Sequence, residues 1–154
     1  MTVVGVDGVL RPLGDETEGL ALRRLLAEAG LTLEGFDAID GPLLVVVLGG
    51  EVVGGAAVER WGAAGLLRSV VVAEPLRGRG VGSLLVGAAI EAARAAGLDE
   101  LYLLTETADD WFPRFGFAPV AREDLPAALG GSAELRGACP ESAMAMRLAL
   151  TRGA

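Results

Sequence analysis

The 154-residue chain has no lysine, histidine, asparagine or glutamine, and all thirteen of its cations are arginine. Without histidine, the usual imidazole base, the Ser-His-Asp triad and most zinc ligand sets are excluded. Any general base must be an aspartate, a glutamate or water. The single cysteine, Cys139, excludes an internal disulfide framework and any multi-cysteine metal site, and fits a reducing compartment. A basic surplus is also missing: the formal net charge is −8. Nucleic acids and anionic membranes need a basic face that displaces counterions, so neither is expected as a partner. The longest uncharged apolar stretches, 41–50 and 80–90, fall short of the roughly 18 residues that would suggest a membrane span. Asp7 and Arg11 interrupt any apolar N-terminal run, so no signal peptide is visible. A soluble, cytoplasmic protein without a metal site is expected.

What is present reads as one domain over residues 1–154, long enough to bury a core of its own. Val3 to Leu10 looks like a first strand. Asp15 can cap a helix with Glu18 as its capping-box partner, ending near Gly30, with Leu20, Leu22, Leu25, Leu26 and Ala29 as its apolar face. "LLVVVLGGEVVGGAAVERW", residues 43–61, is two β-branched runs around Gly49-Gly50-Glu51 and predicts an antiparallel hairpin. A strand at 66–73 follows, then a helix at 81–96 closed by Gly97, with Leu84, Leu85, Ala88, Ala89 and Ala92 inward. A strand at 101–106, a short helix near 111–115 and a strand near 143–150 complete an α/β (α+β) order, predicting a mixed sheet with helices on both faces.

The turn between the 66–73 strand and its helix carries Arg77, Gly78, Arg79, Gly80 and Gly82. Such glycines permit positive φ and leave no side chains to block a ligand. The first N–H groups of the helix, from Val81, Gly82 and Ser83, lack intrahelical partners and carry the positive end of the helix dipole. A site of this kind holds pyrophosphate, and Arg77 and Arg79 can add charge-assisted hydrogen bonds. An ordinary strand-to-helix turn with solvated arginines is the alternative.

Arg77-x-x-Gly80-x-Gly82, preceded by "VVVAEP" and followed by an amphipathic helix, resembles the acyl-CoA pyrophosphate loop of the GNAT superfamily of N-acyltransferases. "ADDWFPRFGF", residues 108–117, resembles its second signature. "GLLRSVVV", "LYLLTETADDWF" and "LPAALGGSAELRGACPESAMAM" resemble the arsenic-resistance-associated acetyltransferase branch. The resemblance implies a mostly antiparallel central sheet flanked by helices, with acetyl-CoA as co-substrate and a small-molecule amine as acceptor attacking the thioester directly. Homodimers are common in such proteins, but no helix is apolar enough all round to mark an interface.

The resemblance places the thioester against the 66–73 strand, with Val70 pairing the pantetheine arm beside Val71 and the N–H of Val72 as oxyanion donor. It also exposes a departure, since Phe112 stands where many members carry a tyrosine acid. Thr105 replaces the usual asparagine, leaving its hydroxyl or water to meet the thiolate. Glu59 and Glu106, near strand ends beside the thioester strand, are the candidate bases, with solvated charges as the alternative. Arg68, with Ser69, sits in a Leu/Val run where an unpaired buried charge is costly. A carboxylate, phosphinate or arsonate on the substrate would suit Arg68, and a pairing with Glu59 is the competing account. Trp61, Trp111 and Phe112 could line an acceptor pocket or simply be core; Tyr102 reads as packing and Cys139 as a small buried hydrophobe. Two other functions stay open. One is a catalytically silent acyl-CoA-binding or sensing module. The other is a dinucleotide-binding enzyme using Gly80-x-Gly82 with Glu106, although Leu85 stands where the third glycine belongs.

Overall fold

The computed structural model describes residues 2–4, 8–135 and 142–150, with the first three as backbone only. Cys139, with all of "RGACPE" (136–141), lies outside the described residues. Eight strands form one sheet: β1 (Thr2–Val4), β2 (Gly8–Pro12), β3 (Leu43–Leu48), β4 (Glu51–Trp61), β5 (Ala64–Val72), β6 (Glu100–Thr105), β7 (Ala118–Val120) and β8 (Met144–Ala149). Their spatial order is β1-β2-β3-β4-β5-β6-β8-β7. Helix α1 (Glu16–Glu28) and helix α2 (Val81–Ala95) both pack on the central strands.

Gly49 and Gly50 both have positive φ, 58° and 81°, and close β3 onto β4 as the hairpin the sequence predicts. Every neighbouring pair is antiparallel except β5 and β6, which run parallel over Ala64–Leu66 against Glu100–Tyr102 only. A doubly wound dinucleotide-binding sheet is mostly parallel, so this topology removes that alternative. The expected first strand, 3–10, is instead two antiparallel strands, and β7 is a short strand that the sequence reading lacked. The short helix is a 3-10 turn, Phe112–Phe115, with Pro113 near its start and Gly116 at φ 101° ending it.

The sheet is covered on both faces, which explains the unbroken burial of residues 53–59 in β4 and 64–69 in β5. On one face α2 buries Val81, Leu85, Val86, Ala89, Ile90 and Ala93 against Val46, Ala56, Val58 and Leu67. This stripe is rotated from the expected one, and Leu84 is exposed. On the other face Leu22 and Leu26 of α1 pack with Phe36, Val45 and Val71, while Leu20 and Ala29 remain outside. Among the described residues no helix is long and apolar enough to cross a membrane.

Asp15 caps α1 by accepting from the Glu18 N–H at 2.9 Å. The reciprocal bond departs from a capping box: Glu18 accepts from the Gly14 N–H at 2.7 Å and forms an ion pair with Arg11 on β2. The Arg11 hydrogen bond, followed by the Gly14 N–H, lowers the Glu18 pKa from 4.5 to about 2. A folded-state value below the unfolded one stabilises above the unfolded pKa, and the benefit disappears as pH falls through the folded pKa. Glu18→Gln should therefore lower the neutral-pH melting temperature and remove part of its decline between pH 4.5 and about 2. An unchanged slope in a thermal melt series would contradict this.

Candidate active site

The site begins with one extra residue in β5. Gly55 pairs with Val71 while Ala57 pairs with Arg68, so Ser69 and Val70 together face Ala56. Ser69 is the bulge residue and the non-glycine residue with positive φ, 60°, among those described. Past Leu66 the pairing with β6 ends, and a cleft of about 500 Å³ opens between β5 and β6. Its walls are Leu67–Val70 of β5, Leu103–Ala108, Trp111 and Phe112, and the residues following α1, Ala29–Thr32. Glu134 and Ala143 complete the lining.

Backbone polarity on the open side follows from strand alternation. Ala73 N–H donates to the Val53 carbonyl of β4 at 2.8 Å, so the N–H of Val72 faces away from β4, towards the gap. Val70 shares that direction. Val71 lies differently from the expected cofactor contact: it pairs with Gly55 and buries its side chain beneath α1.

Gly78 and Gly80 have φ of 79° and 82°, and a Cβ at either position would meet nothing within 4 Å. Gly80 is the N-cap of α2 and supplies no side-chain cap, leaving the first helical N–H groups for a ligand. A methyl group on Gly82 would lie 3.6 Å from the Trp111 ring and 3.7 Å from Val72 Cγ2, so the helix start adjoins the cleft wall. Arg77, expected to add hydrogen bonds to phosphates, gives its Nε–H to the Val72 carbonyl at 3.0 Å. It braces the turn and keeps only its terminal nitrogens for another partner.

The expected polar residues divide into three groups. Thr105 lines the cleft, and its Oγ1 accepts from the Ala108 N–H at 3.0 Å, so its own hydrogen remains free to be donated. Glu106 also lines the cleft, on its exposed side. Glu59 and Trp61 do not line it. Glu59 is buried and accepts from Arg68 Nη1 at 2.8 Å, Trp61 Nε1 at 3.0 Å and Ser132 Oγ at 2.6 Å. Fully engaged and away from the cleft, it is badly placed to collect a substrate proton. Trp61 packs against Ala64, Leu66, Tyr102 and Leu129, as core rather than pocket.

Arg68 contributes to the cleft wall, but its side chain has 0% exposure. Besides Glu59 it donates to Ser69 Oγ at 3.1 Å and to the Thr32 carbonyl at 3.5 Å. The pairing with Glu59 is therefore the account the geometry favours over an external anion. Burying an arginine alone would be prohibitive, and a carboxylate with two further donors makes the pair tolerable. Phe112 is 8% exposed and packs edge-on against Trp111 and Phe117, so the expected tyrosine position is an apolar wall. Ser132 and Glu134 were absent from the sequence reading. They lie within the C-terminal stretch that carried the family resemblance, but neither periodicity nor a motif singled them out.

Removing one member of the buried pair strands the other charge. Glu59→Ala should cost about 3–5 kcal/mol in urea unfolding, and Glu59→Leu combined with Arg68→Met should recover most of it. Additive losses would show that the two residues do not act as a pair.

A family model for the acetyltransferase (GNAT) family matches residues 17–117, well over half the chain. Among solved structures, N-acetylglutamate synthase from Neisseria gonorrhoeae, complexed with coenzyme A and N-acetyl-glutamate, aligns with a TM-score of 0.76 at 19% identity. The alignment covers 97% of this chain but 36% of that enzyme, so this chain spans little more than a third of its length. Rv2747 from Mycobacterium tuberculosis, in complex with CoA, aligns with a TM-score of 0.76 at 21% identity, covering 93% of this chain and 99% of that one. Ard1 from Thermoplasma volcanium gives 0.71 at 17% identity over 96% and 100% of the two chains. The likenesses show a shared fold, and the family match, over well more than half of the chain, places it in the GNAT family of acetyltransferases.

Proposed function

We propose that the protein transfers an acetyl group from acetyl-CoA to the amine of a small molecule by direct attack. The observation that carries this reading is the continuity of an open, uncapped helix N-terminus with a cleft made by two parting strands. The turn at 77–80 and the N–H groups of Val81, Gly82 and Ser83 suit a pyrophosphate, with the terminal nitrogens of Arg77 and the Arg79 side chain as added cations. The outward backbone groups of Val70 and Val72 suit an amide-bearing arm followed by a carbonyl. Bound acetyl-CoA would supply the activated acyl carbon and a thiolate leaving group.

The chain's own residues provide the rest. Val72 N–H is an oxyanion donor, worth about 2.7–4 kcal/mol where one such donor has been removed from an enzyme. The Thr105 hydroxyl offers a hydrogen at the cleft wall for a departing thiolate. Phe112, Leu103 and Trp111 exclude water from the acyl end. With a thiol pKa of roughly 8.5, protonation on departure makes modest demands, so a phenylalanine at the tyrosine position is compatible with turnover. A small anionic amine, such as an amino-acid analogue carrying a phosphinate or an organoarsenical, is the finer candidate acceptor, supported by the arsenic-branch resemblance. The enclosure of Arg68 by Glu59 weighs against the arginine that first motivated an anionic substrate.

Thermal shift with acetyl-CoA, CoA and NAD side by side tests the cofactor assignment. Ligand at 100 times its dissociation constant should stabilise by about 2.7 kcal/mol, with both CoA forms effective and NAD inert. Arg77→Ala with Gly80→Val should abolish that shift while the fold persists; retained affinity would overturn the site. Thiol release from acetyl-CoA only in the presence of an amine separates an enzyme from a silent binding module.

A further inference from the structure

One buried side chain touches two walls of the cleft. Arg68 gives its Nε–H to Ser69 Oγ at 3.1 Å on the β5 wall, and its Nη2 reaches the Thr32 carbonyl at 3.5 Å on the wall that follows α1. Its Nη1 donates to Glu59 Oε2 of β4 at 2.8 Å. Glu59 Oε1 is held in turn by Trp61 Nε1 at 3.0 Å and by the Ser132 hydroxyl at 2.6 Å. A methyl group on Gly35 would lie 3.2 Å from Arg68 Nη1 and 3.0 Å from Ala133 Cβ, so the chain after α1 and the segment around Ser132 close over the guanidinium. With 0% exposure, the side chain has no room to aim elsewhere.

Stability alone does not ask for a guanidinium there, because an apolar pair filling the same space is often as stable as a buried ion pair. Direction is what an apolar pair lacks. A guanidinium spreads its donors in a rigid planar fork, whereas a lysine offers a point charge on a flexible stem. The three acceptors this fork holds belong to the bulge in β5, to β4 and to the chain after α1. The bulge decides where the backbone groups of Val70 and Val72 point, and the chain after α1 bounds the same cleft.

We propose that Arg68 is a positioning residue for acetyl transfer. It sets the spacing between the Ser69 bulge, which aims the Val72 N–H, and the Ala29–Thr32 wall against which the acceptor amine lies, with Glu59 and Ser132 holding the fork in place. The inference rests on the acetyl-transfer reading and gives Arg68 a part in the rate instead of in binding an anion. An attacking amine must come within about 3–3.5 Å of the thioester carbon with its lone pair aligned, and a misplacement near 1 Å can cost about 10²-fold. Arg68 touches neither reactant and acts through the two walls.

The test measures thiol release from acetyl-CoA with L-glutamate, a phosphinate amino-acid analogue, L-arginine and spermidine, alongside CoA affinity by calorimetry. Glu59→Leu combined with Arg68→Met, the apolar swap expected to restore stability, separates a positioning role from a structural one. On the best acceptor it should bind CoA within about twofold of wild type yet lose about 10–100-fold in kcat. Arg68→Lys, which keeps a charge beside Glu59 without the fork, should lower kcat and raise the acceptor's KM. Ser69→Ala should lower kcat too and add nothing to Arg68→Lys, since both cut one bond. A swap variant or Ser69→Ala within about threefold of wild-type kcat overturns the proposal, as do losses that multiply in the double variant. Should the swap variant fail to fold, Ser69→Ala and Arg68→Lys decide by the same criteria. Wild-type protein that binds acetyl-CoA yet turns over none of the four amines defeats the acetyl-transfer reading and this inference with it, whereas full turnover in the swap variant defeats this inference alone.

Discussion

The extra residue in β5 is the constraint on which the site depends. Before it, Leu66 and Arg68 face the α1 side of the sheet and Leu67 faces α2. After it the parity is inverted, with Val71 under α1 and Val70 and Val72 on the α2 side. A regular strand would put Val70 on the face occupied by Arg68 and could not keep both helices packed. Holding Ser69 at φ 60° costs about 1–3 kcal/mol, a cost that must be met by the surroundings. The Arg68 Nε–H bond to Ser69 Oγ, the Glu59 pair and the filled cores on both faces provide that support. The bend then carries β5 away from β6, so one local strain produces both the gap and the outward backbone groups that line it.

A chain with no lysine, histidine, asparagine or glutamine has to assemble such a site from few parts. Its anion-binding element is backbone: glycines at positive φ and a helix start with no cap. The oxyanion donor proposed, the Val72 N–H, is backbone as well. The side chains do what backbone cannot, with arginines acting as fixed cross-links. Arg11, Arg68, Arg77 and Arg147 each hold a carboxylate or carbonyl, and the Arg147 bond to Glu100, shared with the Tyr102 hydroxyl, joins β8 to β6. Arginine's five donors in a rigid fork suit bracing better than proton transfer, since the group never deprotonates near neutral pH.

The parts of this architecture legible in the sequence were those encoded within a few residues. Gly49-Gly50 between β-branched runs specifies a hairpin, and the glycine-arginine turn before an alanine-rich helix specifies a helix start with no side-chain cap, because φ preference and orphan N–H groups are local properties. Arg68 stood out as anomalous for the right reason, since a cation in a Leu/Val run needs a partner; which partner was a matter of pairing register between β4 and β5. The inward stripe of α2 differs from the expected one because apolar residues sit on neighbouring faces of that helix, Leu84 beside Leu85 and Val86, and only the sheet beneath chooses Ile90 and Val86 over Leu84. Glu134 could not be found by any local rule. Its place depends on Ser132 bonding Glu59 seventy-three positions earlier in the chain, a contact created by the fold.

Phe112 illustrates how such a site can change one component without losing its logic. In the tyrosine's absence the aromatic wall is continuous, with Trp111, Phe112, Phe115 and Phe117 packed edge to face. A drier acyl end strengthens every remaining electrostatic contact, including a backbone N–H aimed at a developing oxyanion. It also raises the cost of leaving a thiolate charged there, so the proton must come from a group already at the wall. Thr105 qualifies on geometry, because the Ala108 N–H occupies a hydroxyl lone pair and turns the hydrogen towards other acceptors. The harder demand then falls on the acceptor amine, which has to shed a proton before it can attack.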